Sequence, residues 1–216
     1  MLIMIPFITN DQYNFIIKRA KNIAGAAQTV NDAAVKRAFI YLNLDKVLAL
    51  FPDLNKEQET LLTEIVELDS DVALQLYKEK LKNYCIPFVE LTDAKVKKLF
   101  RKVKKLNHPT LSADELKHLT YFGWNDAGSN QKFIIKEVDG KLSGIHGRFL
   151  PSSKKGFCHF CHQQSEVGLF TVEVKMKGTA MNYRTLANYV CIDSAACNNE
   201  ITDTERVDDF IRNVSV

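Results

Sequence analysis

Apolar residues change their spacing along this chain, and the change divides it. Over the first 82 residues they return every three or four positions, the period of an amphipathic helix. Tyr13, Ile16, Ile17, Ala20 and Ile23 form the first such face, opened by Thr9 with Gln12 three residues on, the pattern of a capping box. A second run, capped by Asn31 or Asp32, places Val35, Phe39, Leu42 and Val47 on one side. "DLNKEQETLLTEIVEL" and "DSDVALQLYKEKLKN" supply two more, the latter capped by Ser70 or Asp71. Short connections and no strand signal predict a four-helix bundle over residues 1–83. No histidine or cysteine lies before Cys85, so this part reads as scaffold.

"NYCIPFVEL" breaks the helical period, because Pro87 lacks an N–H and pushes Ile86 towards extended geometry. A second domain is therefore predicted over 84–216. Its first element is a helix across "TDAKVKKLFRKVKKLNHP", capped by Thr92 or Asp93, with Val96, Leu99, Phe100 and Val103 as its apolar stripe. A short helix opened by the pair Ser112 and Glu115 follows. The period then shortens to strands. "KFIIKEV" and "KLSGIHGRFL" flank Asp139–Gly140, a pair suited to a type I′ hairpin turn. "VGLFTVEVKM" and "TLANYVC" read as two further strands, and "DTERVDDFIRNV" as a closing helix. The fold class expected is α+β in two domains, a helical bundle and then a mixed α/β domain.

Charge changes this picture in one place. The net charge of +3 is small, but residues 1–83 carry 10 basic and 11 acidic side chains, and 84–216 carry 19 and 15. Much of the surplus is Lys95, Lys97, Lys98, Arg101, Lys102, Lys104 and Lys105, a surface able to meet phosphates or an acidic protein. No aromatic residue interleaves with these charges to make a stacking groove for single strands. "MLIMIPFI" has no cation ahead of it and is too short for a signal peptide, and no apolar stretch approaches the roughly 20 residues of a membrane helix. A cytoplasmic protein with no membrane partner is expected, in which thiols serve as metal ligands or buried groups.

Four of the five cysteines form the spacing C-x2-C, 29 residues, C-x5-C: Cys158, Cys161, Cys191 and Cys197. A two-residue knuckle offers two thiolates, and a pair at a helix start offers two more, with Asp193 or Ser194 as the cap. Knuckle, hairpin and helix together make a treble-clef-like zinc finger over about residues 155–216, holding one structural zinc ion. "CHFCH" contains the attachment form of a c-type haem, but haem would leave Cys191 and Cys197 unused. A thioredoxin-like pair lacks its βαβ setting, whereas an iron–sulfur cluster stays chemically open. His159 or His162 could replace one thiolate. Cys85 stands alone and reads as a buried thiol. A site closed by four protein ligands has no open position for substrate, and no catalytic motif accompanies it, so a binding protein is expected rather than an enzyme.

"FGWNDAGSNQKFIIK", "KGFCHFCHQQSEVGLF" and "YVCIDSAACNNEITD" resemble the FusB-type fusidic acid resistance proteins, also called elongation factor G-binding proteins. The resemblance runs over essentially the whole chain. It implies a bacterial cytosolic protein, expected as a monomer, that binds elongation factor G through the finger domain. Fusidic acid traps that factor with GDP on the ribosome, and members of the family promote its release without modifying the drug. Local match to the family's contacts points to Phe157, Tyr189 and Phe210. The family's lysine shortly before the tyrosine is matched here by Leu186, which leaves Lys155 and Arg184 as the candidate cations. The alternative is a ribosome- or RNA-binding module using the basic 95–105 segment.

Overall fold

The computed structural model describes residues 5–175 and 183–214. It divides into two compact units, Met1–Ile86 and Pro87–Val216. The division falls three residues beyond the expected 83. Residues 84–86 are held in the first unit by a strap: the Phe7 and Ile8 N–H groups donate to the Tyr84 carbonyl, and the Ile86 N–H donates to Ile8 at 2.8 Å.

The first unit contains α1 (Asn10–Thr29), α2 (Ala33–Leu48), α3 (Lys56–Thr63), a 3-10 turn at Glu64–Glu67, and α4 (Asp71–Lys82). The capping box of α1 forms, with Gln12 Oε1 accepting from the Thr9 N–H at 2.9 Å. Its predicted face is buried, and Ile16, Ala20 and Ile23 are wholly enclosed with Val47, Leu62, Ile65 and Leu81. Asp32 caps α2 by accepting from Ala34 and Val35. The face predicted for α2 is corrected. Asn43, Leu44 and Val47 point inward, while Val35 and Leu42 are more than half exposed. Apolar residues occur all round this helix, so its period does not select one face. Cys85 is buried, with its sulfur 3.6 Å from the Leu81 carbonyl, as expected of a structural thiol.

The second unit is built on one antiparallel sheet in the order β1-β2-β3-β4-β5, namely Phe122–Asp126, Gln131–Val138, Lys141–Phe157, Gln164–Lys175 and Tyr183–Cys191. The Asp139–Gly140 turn has φ of 53° and 72°, the left-handed pair that a type I′ turn requires. Met176, the end of one predicted strand, lies outside the described residues. Before the sheet come α5 (Asp93–Leu99) and a 3-10 turn (Glu115–His118). After it come α6 (Ser194–Glu200) and α7 (Glu205–Val214).

Both faces of β2 are covered, which explains the unbroken apolar run "FII". Phe133 and Ile135 pack with Val96, Phe100, Phe122 and Trp124 on one face. Ile134 faces a second core with Phe149, Phe170, Val207 and Phe210, towards α6 and α7. The helix predicted as far as Pro109 ends at Leu99 instead. Phe100 is pulled out of helical geometry (φ −117°, ψ 46°) and is held edge-on to Trp124, Phe133 and His146. Burying that ring outweighs the favourable helix propensity of the lysines beyond it.

Candidate metal centre

The cysteines are brought together by the far ends of three strands. β3 runs into the knuckle Cys158–Cys161, closed by hydrogen bonds from Cys158 N–H to Gln163 O and from His162 N–H to Cys158 O, both 3.0 Å. His162 takes a left-handed φ of 58° to make this reversal. Cys191 ends β5. Asp193 then caps α6, accepting from the Ala195 and Ala196 N–H groups, and the helix carries Cys197.

All four sulfur atoms lie within 4.8 Å of one another, and all four residues are buried. Cys158 and Cys197 are 3.8 Å apart, Cys161 and Cys191 3.7 Å. A tetrahedron with metal–sulfur bonds of about 2.3 Å has edges of about 3.8 Å. The donor set therefore fits zinc in both number and spacing. Backbone N–H groups of Phe160 (3.4 Å) and Cys191 (3.3 Å) point at the Cys158 sulfur and favour its anionic form. Its thiol is drawn well below the ordinary range by the Cys161, Cys191 and Cys197 thiols that hydrogen-bond to it. The same contacts, with burial, push Cys197 well above that range. Four crowded thiols cannot ionise together alone, and a divalent cation is the natural remedy.

Neither histidine of the knuckle belongs to this group. His159 is half-buried with its ring near Phe160 and Phe210, and His162 is exposed. The tetrad is made of cysteines alone among the described residues.

Lys132, which sequence reasoning passed over, is fully buried. Its ammonium donates to Ser194 Oγ at 2.9 Å, Asn125 Oδ1 at 3.0 Å and the Ile192 carbonyl at 3.3 Å. Burial pulls its pKa down to about 8, against the opposing pull of the Cys197, Cys191 and Cys158 thiolates and Asp193. A cation so placed offsets part of the negative charge of a metal held by four thiolates. Its only sequence signal is a lysine directly before the apolar run "FII" of a strand. Asn198, also missed, accepts from the Thr120 (2.7 Å) and Tyr121 (3.0 Å) N–H groups and donates to the Tyr121 and Ser194 carbonyls. It ties α6 to the start of the sheet. Gly123 beside it permits the approach, since a Cβ there would lie 2.7 Å from Ser194 Oγ.

The predicted contact residues separate into two groups. Phe157 is 71% exposed and Tyr189 51%, each next to or near a cysteine of the tetrad. Lys155 and Arg184 are also exposed. Strand alternation puts Lys155 and Phe157 on one face of β3, but puts Arg184 and Tyr189, five residues apart on β5, on opposite faces. Phe210 is different. It is 2% exposed and packed against Phe160 and Phe170, with ring centroids at 5.6 and 5.7 Å. The structure places it in the core, because α7 turns its apolar stripe of Val207, Phe210 and Ile211 inward.

Comparison with known proteins agrees with this anatomy. The family described as "Elongation factor G-binding protein, N-terminal" matches residues 7–89. The family described as "FBP C-terminal treble-clef zinc-finger" matches residues 94–213. No curated protein matches. A solved structure described as that of the fusidic acid resistance protein FusC is similar over 97% of this chain and 98% of its own, at 28% identity and a TM-score of 0.82. With a helical unit, a four-cysteine treble-clef unit and both family domains in order, the chain belongs to the FusB-type family of elongation factor G-binding proteins.

Proposed function

We infer that the chain binds elongation factor G through its C-terminal unit, holds one structural zinc ion in the four-cysteine site, and promotes release of the factor from the ribosome. In that role it protects translation from fusidic acid, as a cytoplasmic monomer that binds and does not catalyse. The observation carrying this reading is the pair of exposed aromatic rings beside a rigid, buried tetrad. Phe157 directly precedes Cys158, and Tyr189 stands two residues before Cys191. Large apolar rings left outside a well-packed unit are the side chains that interface hot spots use, at about 2 kcal/mol or more each. Fixing them to a metal knuckle removes ordering entropy before the partner arrives. The four-sulfur site leaves no open coordination position, which favours binding over catalysis.

Release demands discrimination between conformations of the factor. A protein that bound the ribosome-held and free forms equally would shift nothing, and near-complete displacement needs a preference of about 10⁴-fold. Calorimetric titration into purified elongation factor G, with metal content measured on the same sample, tests the first step. One-to-one binding that falls at least tenfold in Phe157→Ala and Tyr189→Ala is expected. Pelleting of ribosomes stalled with fusidic acid then tests the second, and factor that stays in the pellet whatever amount of this protein is added would refute release.

A further inference from the structure

The seven cations between Lys95 and Lys105 play no part in the metal centre or the aromatic pair. Lys95, Lys97, Lys98, Arg101, Lys102, Lys104 and Lys105 are all exposed, and among the described residues none makes an ion pair. No acidic residue occurs from 94 to 113. The apolar residues between them are turned the other way. Val96 and Phe100 are buried, and Leu99, Val103 and Leu106 pack on the same cluster. The Val103 N–H donates to Phe100 at 2.9 Å, so the segment stays anchored beyond the end of α5. A cationic surface results, bordered by Asp93 at the start of α5, which pairs with His108, and with its hydrophobic half already consumed by the fold.

We propose that this surface is a second binding site, for the phosphate backbone of double-stranded RNA. Its chemistry argues against a protein partner: six of the seven cations are lysine, a residue depleted from protein interfaces, and no exposed apolar or aromatic anchor lies among them. It argues against single strands, which need aromatic faces to stack on. A membrane surface is disfavoured by the lack of any outward apolar side chain to insert. Lysine charges spread over a helix end and the turn beyond it suit sequence-independent contacts with regularly spaced phosphates. The choice of RNA rests on the elongation factor reading, since that factor works on the ribosome. The phosphate chemistry does not rest on it.

The test uses the full, zinc-loaded chain and a labelled RNA duplex of arbitrary sequence, with affinity measured by anisotropy between 50 and 200 mM salt, an interval of about fourfold over which counterion release is read. The parent is expected to show a log–log slope of about −4 to −6. Replacing Lys97, Lys98, Lys102 and Lys105 with Gln should reduce that slope by about 3 to 4 and weaken binding at least tenfold near 0.1 M salt. A control replaces the exposed Lys18, Lys21, Lys46 and Lys56 with Gln, giving the same net charge, and should keep the parent slope. Equal loss in both variants, or no loss in the first, overturns the proposal. So does tighter binding of single-stranded RNA, or tighter binding of a DNA duplex of equal length. Polyglutamate that competes as well as the RNA would assign the surface to an acidic protein instead. Titration of elongation factor G into the same preparations separates the two readings: RNA binding retained in a parent that ignores the factor would sink the factor reading and leave this site standing.

Discussion

Asn198 is expected to matter to the stability of the second unit, and its removal has a size that can be worked out. The side chain is 1% exposed and makes four hydrogen bonds to backbone groups, at 2.7, 3.0, 2.9 and 2.8 Å. Asn198→Ala takes the acceptor from the Thr120 and Tyr121 N–H groups and a donor from the Tyr121 and Ser194 carbonyls. Each bond contributes about 1 kcal/mol net, and a buried group that finds no replacement loses about 1–3 kcal/mol. The expected cost is therefore about 3–5 kcal/mol, a large share of a typical domain stability of about 5–15 kcal/mol. Asn198→Asp keeps the two accepting contacts but turns a carboxylate oxygen towards two carbonyls, so it should be at least as damaging. Urea unfolding of the whole chain in saturating zinc, followed by a probe of the second unit, measures this. With a urea slope of about 2 kcal/mol/M, the midpoint of that transition should fall by roughly 1.5–2.5 M. A midpoint for Asn198→Ala within about 0.3 M of the parent would refute the view that this side chain clamps α6 to the sheet.

Cys191→Ser should abolish metal retention and unfold the finger, since the site contributes an apparent 10–16 kcal/mol or so; near-UV circular dichroism with metal analysis reads both. Lys132→Met should lower metal-free stability by about 1–3 kcal/mol, because Ser194 Oγ, Asn125 Oδ1 and the Ile192 carbonyl lose their donor, and zinc affinity should fall about 10- to 100-fold in competition with a chelator. Phe210→Ala should cost about 3–5 kcal/mol of stability, whereas Phe157→Ala should leave thermal unfolding unchanged and weaken only factor binding. The Arg212 guanidinium, hydrogen-bonded to both Asp139 oxygens, holds that carboxyl below its ordinary value of 3.8. Its contribution is present above pH 3.8 and lost as pH falls through the lower folded value, so acid unfolding of Asp139→Asn should be less steep below pH 4.

Legibility in the sequence followed the strength of each local signal. The α1 capping box, the Asp139–Gly140 turn and the C-x2-C knuckle are short patterns whose chemistry admits few geometries, and each appears where the residues placed it. The 29 residues between the cysteine pairs read as a hairpin because strands bracket them, and β4 and β5 do pair in register from Val167–Cys191 to Lys175–Tyr183. The overlong helix after Asp93 failed for an opposite reason. Its lysines carry acceptable propensity to residue 105, but Phe100 is claimed by an aromatic cluster drawn from β1, β2 and β3, which no local window contains. α2 misled in the same way: with apolar residues on every side, only its neighbours decide which are covered.

Phe157 and Phe210 show where pattern reading stops. Both are phenylalanines near the finger, and the family resemblance pointed to both as contacts. One ends 71% exposed and the other 2% exposed. The difference comes from elements far along the chain. Phe157 sits where β3 gives way to the knuckle, paired with Gln164 and covered by no helix, so its ring has nothing to pack on. Phe210 rides a helix whose stripe meets Phe160 and Phe170, so its ring completes a core. Lys132 inverts the lesson. A lysine at the start of a strand, between Gln131 and Phe133, looks like a solvated edge, yet α6 closes over it and the thiol cluster supplies the counter-charge that makes its burial tolerable. Four cysteines announce a metal site from their spacing alone. The cation that balances it and the amide that clamps it are set by contacts that join β2 and the approach to β1 with the α6 region, across sixty or more residues of sequence.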